Sequence, residues 1–224
     1  YGIERAAADD MAVEVAKVVA LGVQVGIVVG GGNIFRGISP AAEGMDRATA
    51  DYMGMLATVM NAMALADALE KRAVATRVMS ALHVDGIVEP FVRPRALAHL
   101  RKSRVVIFAG GTGNPYFTTD TAACVRAIDI GAQMVIKATK VDGVYTADPV
   151  RHAGARRYER LDYDTVLADK LAVMDAAAIV LCREHALPLV VCNIHKPGAL
   201  ERVVRGEPEG TYVGPDVNRA GDGP

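Results

Sequence analysis

Twice in this chain an apolar run ends in a row of glycines, and a helical pattern follows. Val23-Gln24-Val25-Gly26-Ile27-Val28-Val29 runs straight into Gly30-Gly31-Gly32-Asn33-Ile34-Phe35-Arg36-Gly37. Val105-Val106-Ile107-Phe108-Ala109 runs into Gly110-Gly111-Thr112-Gly113-Asn114-Pro115-Tyr116-Phe117-Thr118-Thr119-Asp120, with helical spacing from Thr121. A strand buried on both faces reads as such an apolar run, and a helix that returns the chain makes the next strand parallel. The pattern therefore predicts an α/β protein with a mainly parallel sheet covered by helices on both sides, a three-layer αβα sandwich. In such sheets ligands gather beyond the carboxyl ends of the strands, where both glycine loops fall.

The remaining segments fit that frame. Residues 3–21 carry apolar positions at helical spacing, with Gly22 as a C-cap. Residues 46–72 predict a long helix or helix pair with a stripe of methionines, a stripe expected to be adaptable core or a subunit contact. Strands are expected at 73–80, 104–109, 134–138, 189–192 and 211–213, and helices at 94–101, 121–130, 164–167, 175–185 and 197–205, the last with Pro197 in its first turn. Residues 139–163 read as an irregular excursion. Residues 1–213 are expected to form a single domain and 214–224 a flexible tail rich in Gly, Pro and Asp.

Composition narrows the function classes. Apolar residues make up 51% of the 224 positions, enough for a substantial core, while aromatics are 5% and Trp is absent. A net charge of −1 gives no basic footprint for nucleic acid. Neither a signal peptide nor an apolar run near membrane-spanning length stands out, so a cytoplasmic protein is expected. Cys124, Cys182 and Cys192 are odd in number, lack metal-ligand spacing and sit among apolar neighbours, which suits buried free thiols. The five histidines are scattered and form no ligand pair.

Glycine loops at strand ends let the backbone approach a ligand, and a helix N-terminus favours an anion such as phosphate. Gly32 and Gly37 have Walker spacing, but Ile38-Ser39 stands where Lys-Ser/Thr is needed, and neither loop contains G-x-G-x-x-G. A third segment, Lys137-Ala138-Thr139-Lys140-Val141-Asp142-Gly143-Val144-Tyr145-Thr146-Ala147-Asp148-Pro149, adds lysines, hydroxyls, a ring and carboxylates after a strand. Phosphoryl transfer needs little beyond such groups, because catalysis there is positioning and charge stabilisation.

These loops, with Asp51-Tyr52-Met53-Gly54-Met55-Leu56-Ala57-Thr58, closely resemble the bacterial UMP kinases, uridylate kinases of the amino-acid kinase fold, over residues 1–213. The resemblance implies transfer of the ATP γ-phosphoryl group to UMP, with Mg²⁺, in pyrimidine nucleotide biosynthesis. It implies a homohexamer, activated by GTP and inhibited by UTP. Carried over position by position, Gly31, Asp51, Thr112, Gly113, Asn114, Pro115, Tyr116, Phe117, Thr118 and Thr119 would bind UMP, with Asp51 on the ribose hydroxyls and Thr119 on the uracil edge. Gly32, Arg36, Thr139, Tyr145 and Asp148 would serve ATP. Arg36, Lys137, Asp148 and Asp175 would be catalytic, Lys137 stabilising transferred charge and Asp175 organising the cations. Arg77 and Arg104 would receive GTP. The family opens with an apolar strand and a Lys-x-Ser-Gly-Glu segment that holds ATP phosphates; this sequence, starting at Tyr1-Gly2-Ile3, is expected to begin just after it. Two alternatives stay open, another small-molecule kinase of the same fold and a non-catalytic nucleotide-binding or storage protein.

Overall fold

A computed structural model describes residues 2–35, 44–147, 151–152 and 154–215. The expected tail from 216 on, and Arg36 and Asp148 among the expected catalytic residues, lie outside the described residues. The chain divides into two compact units, Tyr1–Ile130 and Gly131–Pro224.

The first unit contains α1 (Arg5–Ala20), β1 (Gly26–Val28), α2 (Arg47–Glu70), β2 (Thr76–Ser80), β3 (Glu89–Pro90), α3 (Arg93–Arg101), β4 (Val105–Ala109) and α4 (Thr119–Ile130). Its four strands are all parallel, in the order β1-β4-β2-β3, with Ile107 opposite Ile27 on one side and Val78 on the other. β4 is buried along its whole length, as its unbroken apolar run requires. Alternate side chains of β4 go to opposite faces. Val106 and Phe108 join Met79, Ala96 and Leu100 in a core cluster under α3, with Phe91 edge-on to Phe108 at 5.7 Å between ring centres. α2 packs on β2 and β4, with α1 against it. Helices therefore cover both faces of this sheet.

The second unit contains β5 (Val135–Thr139), β6 (Arg160–Leu161), α5 (Tyr163–Ala168), α6 (Ala176–Glu184), β7 (Leu189–Asn193), α7 (Ala199–Val204) and β8 (Thr211–Val213). Its sheet runs β5-β7-β8-β6; β5–β7 and β6–β8 are parallel and β7–β8 antiparallel. Leu189, Val191, Cys192 and Val213 are buried, and the Tyr163 hydroxyl donates to Leu187 O at 2.6 Å. The α/β class and mainly parallel pairing agree with the sequence reading.

Three details differ from it. The last helix starts after Gly198, whose φ of 77° lets it cap the helix, so Pro197 precedes the cap. β3 and β6 are two-residue strands, too short to show a period. α2 is, by length and composition alone, long and apolar enough to cross a membrane, where no such run was expected; 44% of that stretch is buried inside the protein.

Candidate active site

Both glycine loops of the first unit leave the same edge of its sheet, because β1 and β4 are parallel neighbours. One face of α2 supports both. A side chain at Gly31 would run into Gly54 O and come within 2.9 Å of Ala57 Cβ and 3.1 Å of Thr58 N. Only glycine lets the first loop lie this close to the helix. Asn61 Nδ2 donates to Gly30 O at 2.7 Å, and Asn61 and Asn33 exchange side-chain hydrogen bonds of 2.6 and 3.1 Å. The second loop is held by Thr58, whose Oγ1 accepts from Gly110 N at 2.7 Å, and by Asp51, whose Oδ2 accepts from Tyr116 N at 2.8 Å. Residues 51, 54, 58 and 61 are spaced three and four apart, which puts them on one helix face.

The loop after β4 is built for a fixed shape. Gly110 has φ 75°, and a Cβ there would sit 2.9 Å from Leu82 N and Ser80 Oγ. The Thr112 hydroxyl accepts from Asn114 N at 3.1 Å, and Tyr116 holds φ 73°, a left-handed conformation that costs a non-glycine residue energy. Its hydrogen bond to Asp51 holds it there. Thr118 Oγ1 accepts from Asp120 N and Thr121 N at 3.1 and 3.3 Å, so it caps α4. Thr119 opens the helix, with Oγ1 3.6 Å from where a Gly30 side chain would begin. Thr119 and Gly30 thus lie close together, one on each loop. Asn114, Tyr116, Phe117 and Thr118 are exposed, Thr112, Gly113 and Pro115 half-buried. Gly32 is half-buried in the turn of the first loop.

In the second unit Lys137 lies mid-strand on β5, opposite Val191. The Thr139 hydroxyl donates to Val141 O at 2.8 Å and closes the turn that follows. Tyr145 forms an isolated bridge with Arg157. Asp142 fastens this turn to the end of β7. Its Oδ1 accepts from Asn193 Nδ2 at 2.9 Å, and its Oδ2 lies 3.0 Å from Lys196 Nζ. Those hydrogen bonds, Asn193 first and Lys196 second, hold its carboxyl below the usual 3.8. Lys196 is also 3.9 Å from Glu209, which Arg202 grips through Nε and Nη2 at 2.8 and 2.7 Å. Cys124, Cys182 and Cys192 are buried and form no disulfide, and burial pushes Cys192 up to about 11. Asp175 caps α6, its Oδ1 accepting from Ala178 N at 2.9 Å.

Among the described residues no three His, Cys, Asp or Glu side chains gather around a point. A Mg²⁺ that arrives on nucleotide phosphates needs only one or two protein carboxylates.

Arg77 and Arg104 are linked through two residues that the sequence reading did not single out. Arg77 Nε lies 3.7 Å from Glu89 Oε1, Glu89 Oε2 lies 3.3 Å from His99 Nε2, and His99 Nδ1 lies 3.1 Å from Arg104 Nη1. A guanidinium only donates, so His99 Nδ1 is the acceptor and the ring proton of neutral His99 sits on Nε2, facing Glu89. Sequence reasoning also missed Arg47, Asn61, Asn193 and Lys196 as supporting residues. For Arg47 and Asn61 a signal was present, polar residues at helical spacing from Asp51. For Asn193 and Lys196 the only signal was their place just beyond a strand end.

The sequence model of the amino acid kinase family matches residues 3–193, a span that runs through both units. The chain belongs to the amino acid kinase family. Among solved structures it is similar to the UMP kinase of Bacillus anthracis, at 38% identity and a TM-score of 0.93, over 96% of this chain and 89% of that one. It is similar also to the UMP kinase of Ureaplasma parvum, at 38% identity and a TM-score of 0.89, over 95% and 91%. The uridylate kinase of Archaeoglobus fulgidus matches at 30% identity and a TM-score of 0.73, over 94% and 93%.

Proposed function

We propose that this chain is a UMP kinase, transferring the γ-phosphoryl group of ATP to UMP to give UDP and ADP. The observation that carries the reading is the placement of Asp51. One helix carries this carboxylate, supports the triple-glycine loop and ties down the threonine-rich loop, so a diol acceptor, a close backbone approach and a hydroxyl-bearing loop occur together. That combination suits a ribonucleotide. The similarity to two UMP kinases over nearly the whole chain supports the same acceptor.

In this reading Asp51 accepts from the ribose hydroxyls and Gly31 with the Thr112–Thr119 loop encloses UMP. The charge and hydroxyls around Lys137, Thr139 and Tyr145 serve ATP, with Gly32, Arg36 and Asp148. Lys137 offsets charge on the transferring phosphoryl group. Mg²⁺, held chiefly by the phosphates and by Asp175, would neutralise the same charge. The enzyme would act in pyrimidine nucleotide biosynthesis in the cytoplasm. It would assemble as a homohexamer, with GTP as activator at Arg77 and Arg104 and UTP as inhibitor. The methionine-rich side of α2 supports assembly, since Met53, Leu56, Met60 and Met63 are 37%, 50%, 51% and 45% exposed along one stripe. A coupled assay of ADP release with UMP, CMP or no acceptor tests the activity. UMP-dependent release well above both controls is expected; equal rates with CMP, or release without acceptor, overturn the reading.

A further inference from the structure

Asp51 does not stand alone, and its partner has no role in the reading above. Arg47, the first residue of α2, shares its Nε–H between Asp51 Oδ1 and Oδ2, at 2.9 Å to each. Its guanidinium carbon lies 5.9 Å from the centre of the Tyr116 ring, and the Tyr116 N–H is the other donor to Asp51 Oδ2. Two donors from different elements therefore fix the plane of one carboxylate. A carboxylate offers about four acceptor positions, so capacity remains for hydroxyl donors.

The pair is poorly placed for helix stability. A cation in the first turn opposes the helix dipole, and the order basic-then-acidic at i, i+4 is the weaker one. Within the first turn of α2 there is no acidic residue; the compensating carboxylate is Asp46, at the N-cap just before it. Capping is already supplied by Asp46, whose Oδ2 accepts from Thr49 N at 3.0 Å. What Arg47 does touch is the ribose acceptor and the turn beside it.

We propose that Arg47 is a positioning residue for the nucleotide ribose, acting through Asp51 and the left-handed turn at Tyr116. This inference rests on the UMP kinase reading. Removing Arg47 leaves Asp51 tied by Tyr116 alone and lets its carboxylate swing, which weakens its contact with the ribose diol. Lysine cannot reproduce the guanidinium geometry.

The test is steady-state kinetics of the intact protein, its Arg47→Met and Arg47→Lys variants, with UMP and 2′-deoxy-UMP as acceptors, alongside thermal unfolding. Arg47→Met is expected to raise KM for UMP about three- to fivefold, the scale of a partly exposed ion pair. The rise should be clearly smaller for 2′-deoxy-UMP, with KM for ATP and the unfolding midpoint unchanged and Arg47→Lys intermediate. An equal rise for both acceptors, or no rise, overturns the inference while leaving the kinase reading intact. A parent protein without UMP-dependent turnover removes the kinase reading, and this inference with it.

Discussion

In the proposed reading, Asp51 is the residue on which acceptor binding turns. It sits in the second turn of α2, receives the Tyr116 amide at 2.8 Å and is largely covered, with 17% of its side chain exposed. An amide at this position keeps the shape and one acceptor oxygen but loses the charge that strengthens each hydrogen bond. Hydrogen bonds to a charged group contribute about 1.5–3 kcal/mol, and 1.4 kcal/mol corresponds to tenfold in affinity. Asp51→Asn should therefore raise KM for UMP by about tenfold or more and leave KM for ATP nearly unchanged, as initial-rate measurements with each substrate varied would read. An equal loss for both substrates would instead make Asp51 a residue that shapes the fold.

At the scale of elements, the turn after β5 is locked to the end of β7 by charge. Asp142 is held by Asn193 and Lys196, and the carboxyl titrates below its ordinary value of 3.8. A carboxyl depressed in the folded state contributes stability above its unfolded value, and that contribution is lost as pH falls through the folded value. Lys196→Met removes one of the two holding hydrogen bonds. The Asp142 carboxyl should then titrate at higher pH, seen by NMR of the side-chain carbon, and the acid limb of unfolding should begin at higher pH. The shift in stability will be small, because Asp142 and Lys196 are both more than a third exposed and solvent screens them. An unchanged Asp142 titration would mean that Asn193 alone sets it.

Legibility from sequence followed the physics of each element. Strands β4 and β7 announced themselves because burial demands apolar runs, and α4 because its periodicity follows a glycine loop. The two-residue strands β3 and β6 could not, since two residues carry no period and their pairing is decided by distant partners. The site divided likewise. Gly31 and Asp51 stood in recognisable motifs, but that Gly31 packs on Gly54 O, or that Tyr116 takes a left-handed turn to reach Asp51, depends on contacts between segments far apart in the chain. The Asp142–Lys196 pair is of the same kind, because its members lie 54 positions apart along the sequence.

For the whole molecule, α2 has two working faces. Asp51, Thr58 and Asn61 face the glycine loops, and Met53, Leu56, Met60 and Met63 face outward. A stripe of large apolar side chains exposed along three helical turns is the kind of surface a second copy would cover. Leu56→Glu combined with Met60→Glu should lower the sedimenting mass while the far-ultraviolet circular dichroism stays that of the parent. An unchanged mass would remove this stripe as a contact between copies.

The chain has no tryptophan and seven tyrosines, and one of them, Tyr116, stands 67% exposed on the loop beside Asp51. With no indole to dominate, ultraviolet emission from the unlabelled protein belongs to its phenol rings. In the proposed reading, a uracil ring settling against that loop would alter the emission of a phenol beside it, and the protein would carry its own optical reporter of nucleotide arrival.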